Sequence, residues 1–503
     1  MTIEPATSET IFEANRGLFP AEIPNFIHGL ETATSDGRTF DKLNPANGQL
    51  LCRVARSQKA DVEVAIAAAR RAQTAWAETT VVRRGDLLRE AALVMRARQR
   101  QLADIVALET GKSPKDAFGE SSAAIEMGFF VAGEGRRFYG KTTTSQAANK
   151  SAMIVRQPLG VAGLIIAANT PIANVAWKVF PALLCGNAAV LKPSEDAPIS
   201  AWAMSKIFDE AGIPAGVFNV IQGYGHEAGA PLVENPHVDI VSFTGSCEVG
   251  RCIQRVAGER LAKVCLELGG KNPLIVCDDA NLEKAVDAAA LSAFSNAGQR
   301  CASGSRLIVF DRVYDRFRQM LVDRTKRLRL GPTDEDDFGP VINEEQLGNM
   351  LTAVERARAA GAAVLVGGQR LTDADHRDGF YMAPTLIEGV SSSDEISRTE
   401  LFGPVSLLYR VNSFEDAVAL ANESPFGLTA SIHTANVHRA MTFLKRIQSG
   451  VAVVNGPTYG SEPHLPFGGL KQSGNGLREA GAEALDVYSD WKTIYINYDP
   501  TDT

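Results

Sequence analysis

The sequence predicts an α/β protein built from two doubly wound parallel-sheet domains and a separate β arm. Short apolar runs at residues 161–168, 188–193, 217–223, 237–246 and 263–270 have the length and composition of strands buried on both faces. Helical stretches lie between them, as at residues 198–212 and 249–258, and this alternation marks a parallel sheet covered by helices. The pattern resumes after Lys271 at residues 305–310, 313–328 and 362–368, so a second unit begins beyond Gly269 and Gly270.

Taken in order, residues 1–20 read as a loose leader. The Ala-rich run 61–76 has apolar residues at helical spacing, with Asp61 as its expected cap. A longer helix is expected from about Arg84 to Thr110, closed by Gly111. Residues 141–158 are polar, tolerant of β structure and end at Pro158, which suits an exposed strand or arm; residues 488–497 read as another strand. The expected division is a first domain at 1–140 and 159–269, a second at 270–480, and an arm at 141–158 and 481–503. The chain shows no internal repeat and no low-complexity segment.

Composition narrows the function. The chain has 503 residues, 45% hydrophobic and 22% charged, which suits packed cores and excludes disorder over most of its length. Fifty-nine acidic residues against 51 basic ones give a net charge of −8, unfavourable for phosphate backbones and anionic lipid. Acids near the N-terminus do not suit a secretory signal, and no run approaches the ~18 apolar residues of a membrane span. A cytoplasmic protein binding neither nucleic acid nor membrane is expected. The seven cysteines are irregularly spaced and form no CxxC pair, which points to reduced thiols rather than disulfides or a metal site.

Two glycine clusters are candidate phosphate sites. Gly223-Tyr-Gly225-His-Glu-Ala-Gly229 approximates GxGxxG but its last gap is one residue too long, so a plain turn accounts for it better. Thr244-Gly245-Ser246, with Gly250 in the following helix, suits a pyrophosphate or a structural turn equally. Lys192-Pro-Ser-Glu195 closes a strand, where the lysine and carboxylate bind ribose hydroxyls or simply face solvent.

Seven motifs in one order carry a resemblance to a known family. They are Asn169-Thr-Pro171, Lys192-Pro-Ser-Glu195, Phe243-Thr-Gly-Ser246, Leu266-Glu267-Leu-Gly-Gly-Lys-Asn-Pro273, Gly298-Gln-Arg-Cys301, Glu400-Leu-Phe402-Gly-Pro404 and Pro466-Phe-Gly-Gly-Leu-Lys-Gln-Ser-Gly474. From about residue 40 to the C-terminus the chain resembles the aldehyde dehydrogenase superfamily of NAD(P)-dependent oxidoreductases. The resemblance implies that the first domain binds NAD, the second is catalytic, and the arm joins subunits into dimers or tetramers.

The chemistry implied is oxidation of an aldehyde to its carboxylic acid. A thiolate attacks the carbonyl to give a thiohemiacetal, hydride leaves to nicotinamide, and water hydrolyses the thioester. Cys301 is the implied nucleophile. Glu267, at a strand end where burial raises a carboxyl pKa, is the implied base. Relatives that pass the acyl group to coenzyme A commonly lack this base, so a free acid is the expected product. Asn169 and the Cys301 backbone N–H are the implied oxyanion donors. Lys178 and Glu479 match positions proposed for proton relay, although an ordinary ion pair fits them too. Cofactor contacts are implied at Ala168, Lys192, Ser194, Glu195, Gly225, Gly245, Ser246, Val249, Leu268, Glu400 and Phe402. A carboxylate at 195 repels a 2′-phosphate, which favours NAD and leaves NADP use open.

The implied substrate pocket is Thr170, Ala173, Asn174, Trp177, Arg300, Ala302, Tyr459 and Phe467. It departs from the family's aliphatic pockets: Ala168 stands where Trp is frequent, and Thr170 where many members carry an aromatic residue. A polar small-molecule aldehyde such as a semialdehyde or aminoaldehyde is therefore expected. Succinate-semialdehyde members often carry Arg at the position of Trp177, so a substrate carboxylate would fall to Arg300 or His464. Trp177, Tyr459 and Glu462 suit a cationic aldehyde instead. Outside this chemistry stand a cofactor-independent thiol esterase and a non-enzymatic scaffold. Intact Lys192, Glu195, Gly245 and Glu400 oppose the first, and intact Cys301, Glu267 and Asn169 the second.

Overall fold

The computed structural model describes residues 17–501. The leader expected at 1–20 lies outside the described residues for its first 16 positions.

The first large sheet has the strand order Lys263–Glu267, Ile240–Thr244, Val161–Ile165, Ala188–Lys192, Phe218–Val220, Asn25–Ile27, Leu30–Thr32. Its first five strands are parallel; the last two form an antiparallel hairpin on the edge. The parallel strands are almost wholly buried, which explains their unbroken apolar composition. Chain direction across the sheet reverses between Val161–Ile165 and Ile240–Thr244. A crevice opens at such a switch point beyond the carboxyl ends of the strands, and there the chain places the segments leading to Asn169 and to Gly245 and Ser246.

The second sheet runs Ala363–Val366, Thr385–Glu388, Val405–Val411, Gly304–Phe310, Asn272–Val276, Thr429–His433, Val451–Val454. Only the Ala363–Val366 edge pairs antiparallel. Each sheet has its own core. Phe208 lies 5.1 Å centroid to centroid from both Phe180 and Phe218 in the first, and Leu274, Ile308, Phe317 and Leu407 centre the second. Each such side chain removed from water stabilises by roughly 1.5–3 kcal/mol. The arm is a three-stranded antiparallel sheet in which Lys150–Pro158 lies between Lys141–Thr144 and Ser489–Asn497.

Two local expectations are corrected. The helix expected over 84–110 is two helices, Val81–Ala97 and Gln99–Thr110, broken at Arg98 with φ −106° and ψ 17°. No Gly or Pro marks that break, so spacing alone runs through it; Gly111 does close the second helix in the left-handed conformation at φ 75°. Asp61 is not the cap residue: the helix starts at Lys59, and Asp61 sits in its first turn, accepting from the Gln58 N–H at 2.8 Å in a capping box. In the C-terminal part of the arm, a short helix Ala484–Tyr488 precedes the strand. The N-terminal strands Glu22–Ile23, Thr39–Leu43 and Leu50–Ala55 form a small sheet that the apolar pattern did not announce.

Candidate active site

Cys301 follows a distorted turn. Asn296 and Ala297 both have left-handed backbones, at φ 55° and 54°, and Gly298 follows at φ 68°. Two non-glycine residues in this region store strain that the surroundings must hold. Gly298 is required here because a Cβ would lie 2.1 Å from the Gly403 carbonyl oxygen, so the cysteine turn presses against the segment carrying Glu400 and Phe402. Phe402 itself has φ 55°.

Side chains outside the predicted set clamp the turn. Asn272 donates its amide to the carbonyls of Cys301 at 2.8 Å and Ser303 at 2.9 Å. Gln299 donates to the Asn296 and Pro340 carbonyls at 3.3 Å and accepts from Ile342 N–H at 2.9 Å. Thr458 donates to the Ala302 carbonyl at 2.6 Å. Asn272 and Gln299 lay within motifs already noted, but motif membership alone does not separate a clamp from a reacting group.

Glu267, Glu400 and Arg300 are gathered around Cys301. Burial pushes the Cys301 thiol up to about 12, with the Glu400 and Glu267 carboxylates adding to the shift and Arg300 opposing it. The Cys301 N–H has no acceptor among the described residues, as an oxyanion donor requires. Glu267 is 5% exposed and both its carboxylate oxygens lack a hydrogen-bond partner. Burial, then the Glu479 charge, raises its pKa well above the carboxylate range, against opposition from Lys178 and Arg478. A buried carboxyl without partners is one that burial keeps protonated and available for proton transfer.

Asn169 follows the strand Val161–Ile165. Asn174, in the first turn of helix Pro171–Leu184, donates to its side-chain oxygen at 3.4 Å, which leaves the Asn169 NH2 group as the donor. Asn296 donates to the Asn169 carbonyl at 3.3 Å and so ties the oxyanion candidate to the cysteine turn. Lys178, further along the same helix, belongs to a closed network. Lys178 and Glu479 form a buried ion pair, Ser242 donates to Glu479 at 2.7 Å, and Lys178 donates to Ser242 at 2.8 Å.

The pocket residues converge less completely. Trp177 and Phe467 meet edge to face, with centroids 5.5 Å apart. The Phe467 backbone is bonded to that of Glu479, which fixes this wall. The Arg300 guanidinium lies 4.7 Å from the Tyr459 ring centroid, and its Nε donates to Ser295 at 3.2 Å. Thr170 caps its helix without a side-chain hydrogen bond, Ala173 lies in the helix's first turn, and Ala302 is buried. Glu462 and His464 stand on the surface 3.8 Å apart.

Several expected cofactor residues lie on the segments that follow the carboxyl ends of the first sheet's strands. Lys192 and Glu195 pair at 2.9 Å. Burial raises the Glu195 pKa, but the Lys192 ammonium more than offsets this and keeps the carboxyl below its usual value. Ser246 caps the helix Cys247–Glu259 by accepting from the Val249 N–H at 3.3 Å, leaving the helix N-terminus for an anion. Leu268 packs against Gly250, where a Cβ would lie 2.6 Å from a Leu268 methyl. Ala168 is half-buried beside Asn169. Glu400 accepts from the Gly270 N–H at 2.8 Å, and burial raises its pKa to about 7. Two expected residues show only local roles: Ser194 accepts from the Asp196 N–H at 3.3 Å, and Gly225 begins a π-helical turn with open space around it. A Lys–Glu pair, a helix N-terminus and a buried carboxylate are the kinds of group that a dinucleotide's ribose, pyrophosphate and nicotinamide ends require. Among the described residues no cluster of metal-ligating side chains occurs, and no helix is long and apolar enough to cross a membrane.

Comparison with known proteins places the chain in a family. The alpha-ketoglutaric semialdehyde dehydrogenase of Bacillus subtilis (strain 168) is 38% identical over 475 residues, covering 94% of this chain and 97% of that protein. The betaine aldehyde dehydrogenase of Staphylococcus aureus, solved in complex with NAD+, superposes with a TM-score of 0.94 at 33% identity, covering 98% of both chains. A point mutant of that enzyme, with NAD+ and a BME-modified cysteine, gives 0.93 at 34% identity over 95% of this chain and 98% of that one. The family described as the aldehyde dehydrogenase family matches residues 32–494. The chain belongs to the aldehyde dehydrogenase family.

Proposed function

We propose that the protein oxidises a carboxylate-bearing semialdehyde to the free acid with NAD, through a thioester on Cys301. The observation that carries the substrate class is Arg300. Its guanidinium stands next to the nucleophile, stacked on Tyr459 at 4.7 Å, and has no carboxylate partner among the described residues. A planar, permanently charged fork of this kind binds a carboxylate in two-point fashion.

The chain's residues divide the work. The Cys301 sulfur attacks the aldehyde carbon while the Asn169 amide and the Cys301 N–H donate to the developing oxyanion. Removing one such donor typically costs about 3 kcal/mol of transition-state stabilisation. The Cys301 thiol proton passes to bulk water on attack, and the ionised form of Glu267 takes a proton from water as that water attacks the thioester. Glu479 and Lys178, behind Glu267, carry protons away from it. Lys192 and Glu195 hold the adenosine ribose, Gly245, Ser246 and the helix N-terminus hold the pyrophosphate, and Glu400 and Phe402 hold the nicotinamide end. When bound there, NAD supplies the hydride acceptor. An esterase without cofactor has no use for these contacts. The Glu195 carboxylate disfavours a 2′-phosphate and so NADP.

A second substrate reading rests on the aromatic wall of Trp177 and Phe467, which suits a quaternary ammonium aldehyde. The Arg300 charge in the same pocket opposes it. The division into an NAD-binding domain (1–140, 159–269), a catalytic domain (270–480) and an arm (141–158, 481–503) belongs to the same proposal. So does pairing of cytoplasmic subunits through the arm, whose Lys141–Thr144 strand leaves an edge unpaired and whose Trp491, Tyr495 and Ile496 are exposed. The test is NADH formation across ω-carboxylic, quaternary ammonium and simple aliphatic aldehydes. The ω-carboxylic members should give the highest kcat/KM. A preference for the ammonium members would select the second reading, and no turnover with any would overturn the first.

A further inference from the structure

A buried ion pair outside the expected site holds the oxyanion donor. Lys112 follows Gly111 at the end of helix Gln99–Thr110, and Glu120 lies on the next helix, Pro114–Glu134. Their side chains are each 4% exposed and meet at 2.5 Å. Removing two charges from water is costly and is seldom the cheapest route to stability. Each partner also makes a second contact, and all of these go to one stretch of five residues.

The Lys112 ammonium donates to the Asn169 carbonyl at 2.7 Å. The other Glu120 oxygen accepts from the Ile172 N–H at 2.9 Å and the Ala173 N–H at 3.4 Å. These are first-turn amides of helix Pro171–Leu184, whose own cap residue, Thr170, makes no side-chain capping bond. Glu120 therefore supplies from another helix the carboxylate cap that the local sequence lacks. The pair grips the Asn169–Ala173 stretch from both ends: the peptide of the oxyanion donor on one side, and the start of the helix bearing Asn174 and Trp177 on the other. Asn296 contacts the same carbonyl from the cysteine turn.

We infer that Lys112 and Glu120 are positioning residues for the reaction, setting the Asn169 amide against the carbon attacked by Cys301. The inference rests on the proposed role of Asn169 as oxyanion donor. Neither side chain touches substrate or cofactor. Displacement of a reacting group by about 1 Å costs up to a hundredfold in rate, and that is the size of effect expected.

The test compares Glu120→Gln, the charge-neutral pair Lys112→Met/Glu120→Gln, Asn169→Ala, and Glu120→Gln combined with Asn169→Ala. The neutral pair leaves no orphaned buried charge and so keeps the test open if Glu120→Gln folds poorly. Three quantities are read in the full-length enzyme: kcat/KM for the aldehyde, the NAD dissociation constant, and the rate of Cys301 alkylation by iodoacetamide, which needs no oxyanion donor. Glu120→Gln and the neutral pair should each lose about tenfold to a hundredfold in kcat/KM. NAD affinity and alkylation should stay within about twofold, and Asn169→Ala should mask any further loss from Glu120→Gln. Losses that multiply in the combined variant, or that appear equally in NAD binding and alkylation, would overturn the inference while leaving the role of Asn169 intact. Full activity in Asn169→Ala would overturn both.

Discussion

The Arg300 guanidinium lies over the Tyr459 ring, 4.7 Å from its centroid, one residue from the proposed nucleophile Cys301. Truncating it removes both the charge and the stack. Arg300→Met is expected to raise KM for an ω-carboxylic aldehyde by tenfold to a hundredfold, on the order of 1.5–3 kcal/mol for a hydrogen bond to a charged group. KM for an uncharged aldehyde of equal length should change by less than about threefold. Steady-state kinetics on the two substrates checks this, and equal losses on both would remove Arg300 from substrate recognition.

The pKa of Glu267 is raised well above the carboxylate range, first by burial and then by Glu479. The carboxyl is thus protonated in the resting enzyme at pH values where an exposed Glu is ionised, and its basic form accumulates as pH rises. Thioester hydrolysis should accelerate with pH up to this raised pKa. Glu267→Gln should remove that dependence, giving a single burst of NADH followed by a turnover slowed at least about a hundredfold. A pre-steady-state burst measurement at several pH values checks both statements.

Gly269 makes room for Glu400: a Cβ there would lie 1.8 Å from the Glu400 carboxylate. Gly269→Ala should displace Glu400 from its bond to Gly270 and weaken NAD binding about tenfold, equivalent to roughly 1.4 kcal/mol. Titration of NAD by fluorescence reads this directly, and unchanged affinity would separate Glu400 from the cofactor.

Glu109 is fully buried and accepts from the Ile199 and Ser200 N–H groups at 2.8 and 3.0 Å, capping helix Pro198–Glu210. Burial raises its pKa from 4.5 to about 7. The folded protein therefore holds this proton more tightly than the unfolded chain does. The resulting stability is fully present below about pH 4.5 and is lost as pH rises through about 7, by up to about 3 kcal/mol. Glu109→Gln lacks this dependence. Its melting temperature should gain on that of the wild type between pH 5 and pH 8, and parallel melting curves would contradict the assignment.

The large elements were legible because buried parallel strands are uniformly apolar and the helices between them are not. Elements without that contrast escaped. The break at Arg98 lies in a polar run with no Gly or Pro, and the N-terminal strands are short and half-polar. The proposed reacting groups Cys301, Glu267 and Asn169 were approachable because they stand in short motifs that resemble those of a known family, whose chemistry calls for a thiol, a carboxyl and an amide. Lys112, Glu120, Asn296 and Asn272 were not. They act by where they put another residue's backbone, and a side chain bonding to a distant carbonyl leaves no spacing to read.

The central claim is a covalent acyl-enzyme on Cys301, and intact-mass and peptide-mass spectrometry of Glu267→Gln mixed with NAD and an ω-carboxylic aldehyde tests it most directly. Without the base that activates water, the thioester should accumulate at one acyl group per chain, located on Cys301 and absent from Cys301→Ala/Glu267→Gln. NADH formation with no adduct, or an adduct on any of the other six cysteines, would contradict the account.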